Sequence, residues 1–203
     1  MRRFTPEQYK GYCDDKTNMA YYVRFYGNVL PDYSCDYLVE QFEEHKELHI
    51  EQQQDVFKFN QLDISANRDK TPWNNVHDIM AKVTMQAFER YKADTYYDES
   101  PRFPLQMALE NFRINRSLNN GIDGFGNHCD IGNYASARRF LTILYYLADV
   151  EEGGDAAFPT LNVSFKPTKG SVLLFPSNHL FLHCGLKAIS SPKYIMTSFA
   201  SYV

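Results

Sequence analysis

From about residue 105 onward the chain changes its hydrophobic rhythm, and that change limits the possible folds more than any other feature. Before it, apolar residues recur at helical spacing. After it come short apolar runs near 109–117, 139–148, 162–166, 171–176, 180–185 and 193–202, separated by Gly, Pro, Asn and Asp. Runs of that length bounded by turn residues read as strands. Two helices are expected earlier. One runs from about Ser34 to Leu48, with Cys35, Leu38, Val39 and Phe42 at helical spacing and Asp32 or Ser34 as its cap. The other opens with Thr71 as N-cap and Pro72 as first residue. Its apolar face is Val76, Ile79, Met80, Val83, Ala87, Phe88 and Tyr91, which reads as packing on a sheet, with His77 at the surface. Segments 21–31 and 55–64 add strands. Helices followed by many strands predict an α+β protein whose C-terminal half is an antiparallel sandwich or barrel of the jelly-roll class.

At 203 residues the chain fits one domain, expected to span 1–203, with a support region over 1–104 and the β core over 105–203. Its 15 Tyr and 15 Phe suit a sheet-rich core. A net charge of −4 argues against a broad nucleic-acid footprint. Cys13, Cys35, Cys129 and Cys184 form no C-x-x-C pair, which speaks against a zinc knuckle or a thioredoxin-type site. The opening MRRFTPEQYKGY has no apolar run behind its basic residues, and no stretch approaches the ~18 apolar residues of a membrane span. The expectation is a cytoplasmic protein with free thiols and no membrane partner.

The segment GNHCDIGNY places His128 and Asp130 two residues apart, so in a strand both side chains point to one face. A third ligand has to come from a strand lying alongside, and His183 in LFLHCG is the leading candidate. Two imidazoles and one carboxylate on one side of a metal leave open positions opposite, the arrangement of non-haem Fe(II) oxygenases. Taken alone H-x-D recurs by chance, and an exposed Asp with two satisfied histidines is the better reading of that pattern by itself. The strand KYIMTSFASY puts Lys193, Ile195, Thr197 and Phe199 on one face. A lysine heading an inward apolar face is costly without an anion partner, whereas one at the strand end reaches solvent. Spacing leaves these two readings level. On RFLTILYYLA, Thr142, Leu144 and Tyr146 share a face.

The ordered motifs NHCD, RFLTILYYL, DVEEGGDAAFP, PTKGSVLLFPS and LHCGLKAISSPKYIMTSF resemble the prolyl-4-hydroxylase-like branch of the 2-oxoglutarate and Fe(II)-dependent dioxygenases, over roughly residues 110 to 202. The earlier NVLPDYSCDYLVEQFEEH resembles the opening strand and helix of those enzymes. The resemblance implies a double-stranded β-helix (jelly-roll, cupin-like) core. It maps iron ligation to His128, Asp130 and His183, and the far carboxylate of 2-oxoglutarate to Lys193, with Tyr146 and Thr197 as hydrogen-bonding neighbours. It also implies dioxygen as co-substrate, ascorbate as a further cofactor, and hydroxylation of a prolyl residue in a peptide or protein with release of succinate and carbon dioxide. Gly153, Gly154 and Pro159 match a family loop, read as structural. One departure stands out. Family members carry a tyrosine contact to 2-oxoglutarate on the strand leading into H-x-D, and residues 110–127 contain none, with Arg116, Asn119 and Phe125 in that neighbourhood.

Other readings keep the fold and change the role. The same chemistry could act on a free amino acid, another protein side chain or an alkylated nucleobase, for which Arg68, Arg113, Arg116, Arg138 and Arg139 could line a groove. The complete triad with Lys193 speaks against a β-helix binding module that has lost turnover, since decay usually removes a ligand, and a cupin-like isomerase or zinc protein with the same triad would leave Lys193 unexplained.

Overall fold

The structure is a computed structural model that describes residues 1–9, 15–55, 57–95 and 103–203; Cys13 and Val56 lie outside the described residues. Strands run in chain order as β1 (Arg2–Phe4), β2 (Arg24–Tyr26), β3 (Ile50–Gln54), β4 (Phe57–Asp63), β5 (Met107–Leu109), β6 (Arg113–Ser117), β7 (Gly124–His128), β8 (Arg139–Tyr146), β9 (Ala156–Phe158), β10 (Val163–Phe165), β11 (Val172–Pro176), β12 (His183–Gly185) and β13 (Lys193–Tyr202). The helices are α1 (Pro6–Tyr9), α2 (Asp32–Glu44) and α3 (Trp73–Thr95).

All the strands join one sheet in the order β1-β10-β9-β12-β7-β4-β6-β13-β8-β11-β2, with β3 attached to β4 and β5 to β13. The two ends of that path meet. Phe25 on terminal β2 packs edge-on to Phe165 of β10 with ring centroids 5.3 Å apart, and β10 carries the opposite end strand, β1. The sheet is therefore curled on itself, the double-stranded β-helix expected from the motifs. Strands from the first hundred residues are built into it, since β4 lies between β6 and β7.

The pleat sorts each strand into an outer and an inner set. On β8, Leu141, Ile143 and Tyr145 face the helices, while Thr142, Leu144 and Tyr146 face inward. On β11, Val172 and Leu174 go outward and Leu173 and Phe175 inward. The outer set packs against Cys35, Leu38 and Phe42 of α2 and Trp73, Met80, Phe88 and Tyr91 of α3. The inner set forms a second core of Phe4, Phe25, Phe158, Phe165, Phe175 and Phe181 that fills one end of the barrel. Each such ring removed from water contributes about 1.5–3 kcal/mol.

Several local expectations are corrected. Helix α2 begins at Asp32 behind Pro31, with no side-chain cap from Asp32 or Ser34. Proline presets a backbone angle compatible with entering a helix, so the chain turns in without one. A 3-10 turn, Lys46–Leu48, continues the expected first helix as a separate piece. Helix α3 begins at Trp73 rather than Pro72, and its Ile79 is exposed, because the contact stripe runs through Val76, Met80, Thr84, Ala87 and Tyr91 instead. The strand expected over 180–185 is a 3-10 turn, His179–Phe181, followed by the short β12. Of segment 21–31, Arg24–Tyr26 alone is strand, entered through a 3-10 turn at Met19–Tyr22.

A buried hydroxyl pair ties the helical layer to the sheet: Thr84 Oγ1 of α3 lies 2.9 Å from Tyr145 Oη of β8. Tyr145→Phe strands the Thr84 hydroxyl, which has no exposure, and should cost about 1–3 kcal/mol in urea unfolding. Adding Thr84→Val removes both polar groups and should recover most of that loss.

Candidate metal centre

Strand β7 pairs antiparallel with β12 so that His128 stands opposite His183. Asp130 lies just past the end of β7 yet still faces the two rings. Nε2 of His128 is 3.8 Å from Asp130 Oδ1, and Nε2 of His183 is 3.7 Å from Oδ2. One candidate ligand atom from each residue lies within 4.8 Å of the others, a spacing at which a single ion can touch all three.

Backbone carbonyls aim both rings. His128 Nδ1 is 2.8 Å from the oxygen of Gly126, and His183 Nδ1 is 3.0 Å from that of Phe181. A carbonyl can only accept, so each Nδ1 carries the proton and each Nε2 presents its lone pair. His183 is 6% exposed, stacked against Phe158 and edge-on to Phe175. Burial pushes its pKa down, against the opposing charge of Asp130, and so keeps the imidazole neutral as a ligand must be. Asp130 is held in turn. Thr142 Oγ1 donates to its Oδ2 at 2.5 Å while meeting Ser177 Oγ at 2.9 Å, and Arg139 Nη1 donates to its backbone oxygen at 3.1 Å.

The triad opens on a cavity of about 380 Å³. From the triad end inward its wall carries the paired Thr197 and Leu144, then the paired Ile195 and Tyr146, and then Lys193. The lysine does not reach solvent: it is 3% exposed, and among the described residues its ammonium donates to one group, the Gly154 carbonyl, at 3.0 Å. Burial lowers its pKa to about 8, although the nearby Asp155 charge works the other way. The Tyr146 hydroxyl is buried and has no hydrogen-bond partner among the described residues. An uncompensated ammonium and an orphaned hydroxyl at the end of a cavity headed by two imidazoles and a carboxylate fit a small dicarboxylate reaching toward a metal. Thr197 Oγ1 lines the same wall and lies 3.4 Å from Asn115 Nδ2.

All six residues singled out from the sequence therefore line one cavity. Other lining residues were not found that way. Asn115 and Arg113 are the polar side chains that β6 turns inward, in the stretch where a tyrosine was sought, and Gln61 of β4 donates to Asn115 at 2.9 Å. Alternation along RINRS was the available signal. Arg116 faces the other way, held by Glu43 at 2.7 Å, and Asn119 sits in an exposed turn bonded to the Ile189 carbonyl. Phe125 does reach the cavity, stacked on Phe59 at 4.4 Å and flanked by Phe57. Arg113 and Arg139 face the cavity too, paired with Asp63 and Glu110.

Residues 113–201 match the 2OG-Fe(II) oxygenase superfamily. No curated protein matches the chain. Among solved structures, a collagen prolyl hydroxylase from Paramecium bursaria Chlorella virus-1, in complex with 2-oxoglutarate, is similar at a TM-score of 0.68 and 21% identity, over 90% of this chain and 97% of that one. A prolyl hydroxylase from Trichoplax adhaerens bound to a peptide fragment of the hypoxia inducible factor oxygen degradation domain gives 0.67 and 17%, over 89% and 83%. A Pseudomonas putida prolyl-4-hydroxylase gives 0.63 and 13%, over 90% and 93%. At these identities the structural likeness establishes the fold.

Two substitutions test the centre through metal affinity. His183→Ala should abolish stoichiometric divalent-metal binding in an anaerobic titration. Thr142→Val frees the Asp130 carboxylate and should weaken binding roughly 10- to 100-fold, with Thr142→Ser retaining most of it.

Proposed function

We propose that this chain, whose residues 113–201 match the 2OG-Fe(II) oxygenase superfamily, hydroxylates a prolyl residue in a peptide or protein. It is a 2-oxoglutarate-dependent dioxygenase that uses Fe(II), 2-oxoglutarate and dioxygen. In our reading His128, Asp130 and His183 hold the iron, while Lys193, Tyr146 and Thr197 hold the co-substrate. The observation that carries this is the buried Lys193 ammonium, set in the same cavity as the triad with no carboxylate paired to it among the described residues.

Bound iron, with 2-oxoglutarate and dioxygen, supplies an oxidation that couples decarboxylation to succinate with hydroxylation of a C–H bond. The chain's own residues do the rest. The triad occupies one side of the metal position and leaves the cavity side open. Lys193 and the Tyr146 hydroxyl would receive the far carboxylate, which gives the ammonium a counter-charge beside the Gly154 carbonyl and the hydroxyl an acceptor. Leu144, Ile195 and Phe199 keep that space apolar and dry. Thr142 and the two carbonyl-anchored imidazoles keep the ligand atoms aimed.

The prolyl assignment draws on the similar folds, which are prolyl hydroxylases, one of them holding a peptide fragment. The cavity mouth agrees with it. Phe57, Phe59 and Phe125 form an aromatic wall beside His128, a surface on which a pyrrolidine ring can pack. The guanidinium groups of Arg113 and Arg139 are already neutralised by carboxylates, which suits an uncharged side chain better than a phosphate backbone.

Succinate formation measured with proline-containing peptides, other peptides and free amino acids tests the substrate. Turnover confined to the proline-containing set is expected; turnover confined to another class would end the prolyl reading. The co-substrate reading predicts a pH dependence. With the ammonium pKa lowered to about 8, the cation is lost as pH rises through that value, so 2-oxoglutarate affinity should fall there. Lys193→Met should bind weakly at every pH and abolish the slope.

A further inference from the structure

Strand β1 stands far from the triad in sequence, yet its Arg3 bonds Asp155, the neighbour of the Gly154 carbonyl that holds Lys193. It runs parallel to β10 with Arg3 opposite Ser164. Arg3 donates from Nε to both oxygens of Asp155, at 3.0 and 2.9 Å, and from Nη2 to Oδ1 at 2.8 Å. Ser164 Oγ adds a bond to Oδ2 at 3.0 Å. Asp155 is 5% exposed, and its neighbour Gly154 supplies the carbonyl that holds Lys193. The charge of Asp155 is felt at both Lys193 and Tyr146. A buried carboxylate whose charge is felt at a buried ammonium would ordinarily pair with it. Here its oxygens are taken up by a bidentate guanidinium and a hydroxyl, and Lys193 forms no ion pair among the described residues.

We propose that Arg3 is a positioning residue for 2-oxoglutarate: from β1 it neutralises Asp155, and so leaves Lys193 free and the end of the pocket positive. This rests on the reading that Lys193 takes the far carboxylate. Without Arg3, Asp155 becomes an uncompensated buried anion. It then either captures Lys193 or repels the incoming carboxylate, and both weaken 2-oxoglutarate binding while leaving the triad untouched.

The test titrates 2-oxoglutarate anaerobically into the Fe(II)-loaded full chain, following the visible charge-transfer band, with Fe(II) affinity and thermal melting measured alongside. Arg3→Gln should weaken 2-oxoglutarate roughly tenfold and raise its KM by a similar factor, with iron affinity unchanged and little change in kcat at saturation. The double variant Arg3→Gln/Asp155→Asn removes both charges and should return affinity to near that of the parent. A purely structural clasp predicts no such recovery. Unchanged binding in Arg3→Gln, or a double variant as weak as Arg3→Gln, overturns the proposal. Should Arg3→Gln fail to fold, Asp155→Asn decides: affinity at or above the parent supports the proposal, and a fall overturns it. Lys193→Met separates the two levels. Parental affinity in that variant would remove the reading of Lys193 itself, whereas its loss beside intact Arg3→Gln binding removes the role of Arg3 alone.

Discussion

The ladder between β8 and β13 is the interaction on which the rest of the molecule depends. It pairs Ile195 with Tyr146, Thr197 with Leu144 and Phe199 with Thr142, and all six of those partners line the cavity. The same two strands turn their alternate residues, Leu141, Ile143, Tyr145 and Met196, outward to the helices. One antiparallel pairing thus sets the distance from triad to lysine on one face and the docking of α3 on the other. Because side chains alternate with a period of two, neither face can shift without the other.

Much of this was legible because it is local. Alternation along KYIMTSFASY and RFLTILYYLA identified the inner residues Lys193, Thr197, Thr142 and Tyr146, and the structure finds each where the pleat puts it. The ordered motifs around them named the fold. What stayed hidden is non-local or short. Strands β1, β9 and β12 have three residues each, too few to show a period, and they are strands because distant partners complete them. The link from Arg3 to Asp155 joins residues 152 positions apart, and nothing in either neighbourhood announces it. The burial of Lys193 was equally undecidable from spacing. A strand-end lysine looks the same whether it reaches water or not, and the outcome is set by the loop carrying Gly154 that folds over it.

The errors in the helical region have a common cause. Apolar spacing marks which residues could face a sheet, while the sheet's own curvature decides which of them do. Ile79 and Val76 both fit the stripe of α3, yet Val76 is buried and Ile79 is not. Proline before α2 likewise replaced a side-chain cap that composition alone made attractive.

The two imidazoles have a consequence for folding itself. Each is anchored to a carbonyl of its own segment, so its orientation is local, but the gap between the rings exists only because β7 meets β12 with His128 across from His183. Slippage by one residue would turn one ring to the opposite side of the sheet. An ion bound by all three side chains therefore stabilises the in-register pairing and no neighbouring one, and its binding free energy adds to the native state alone. In that sense a metal held by these three residues would proofread strand alignment before acting as a reagent.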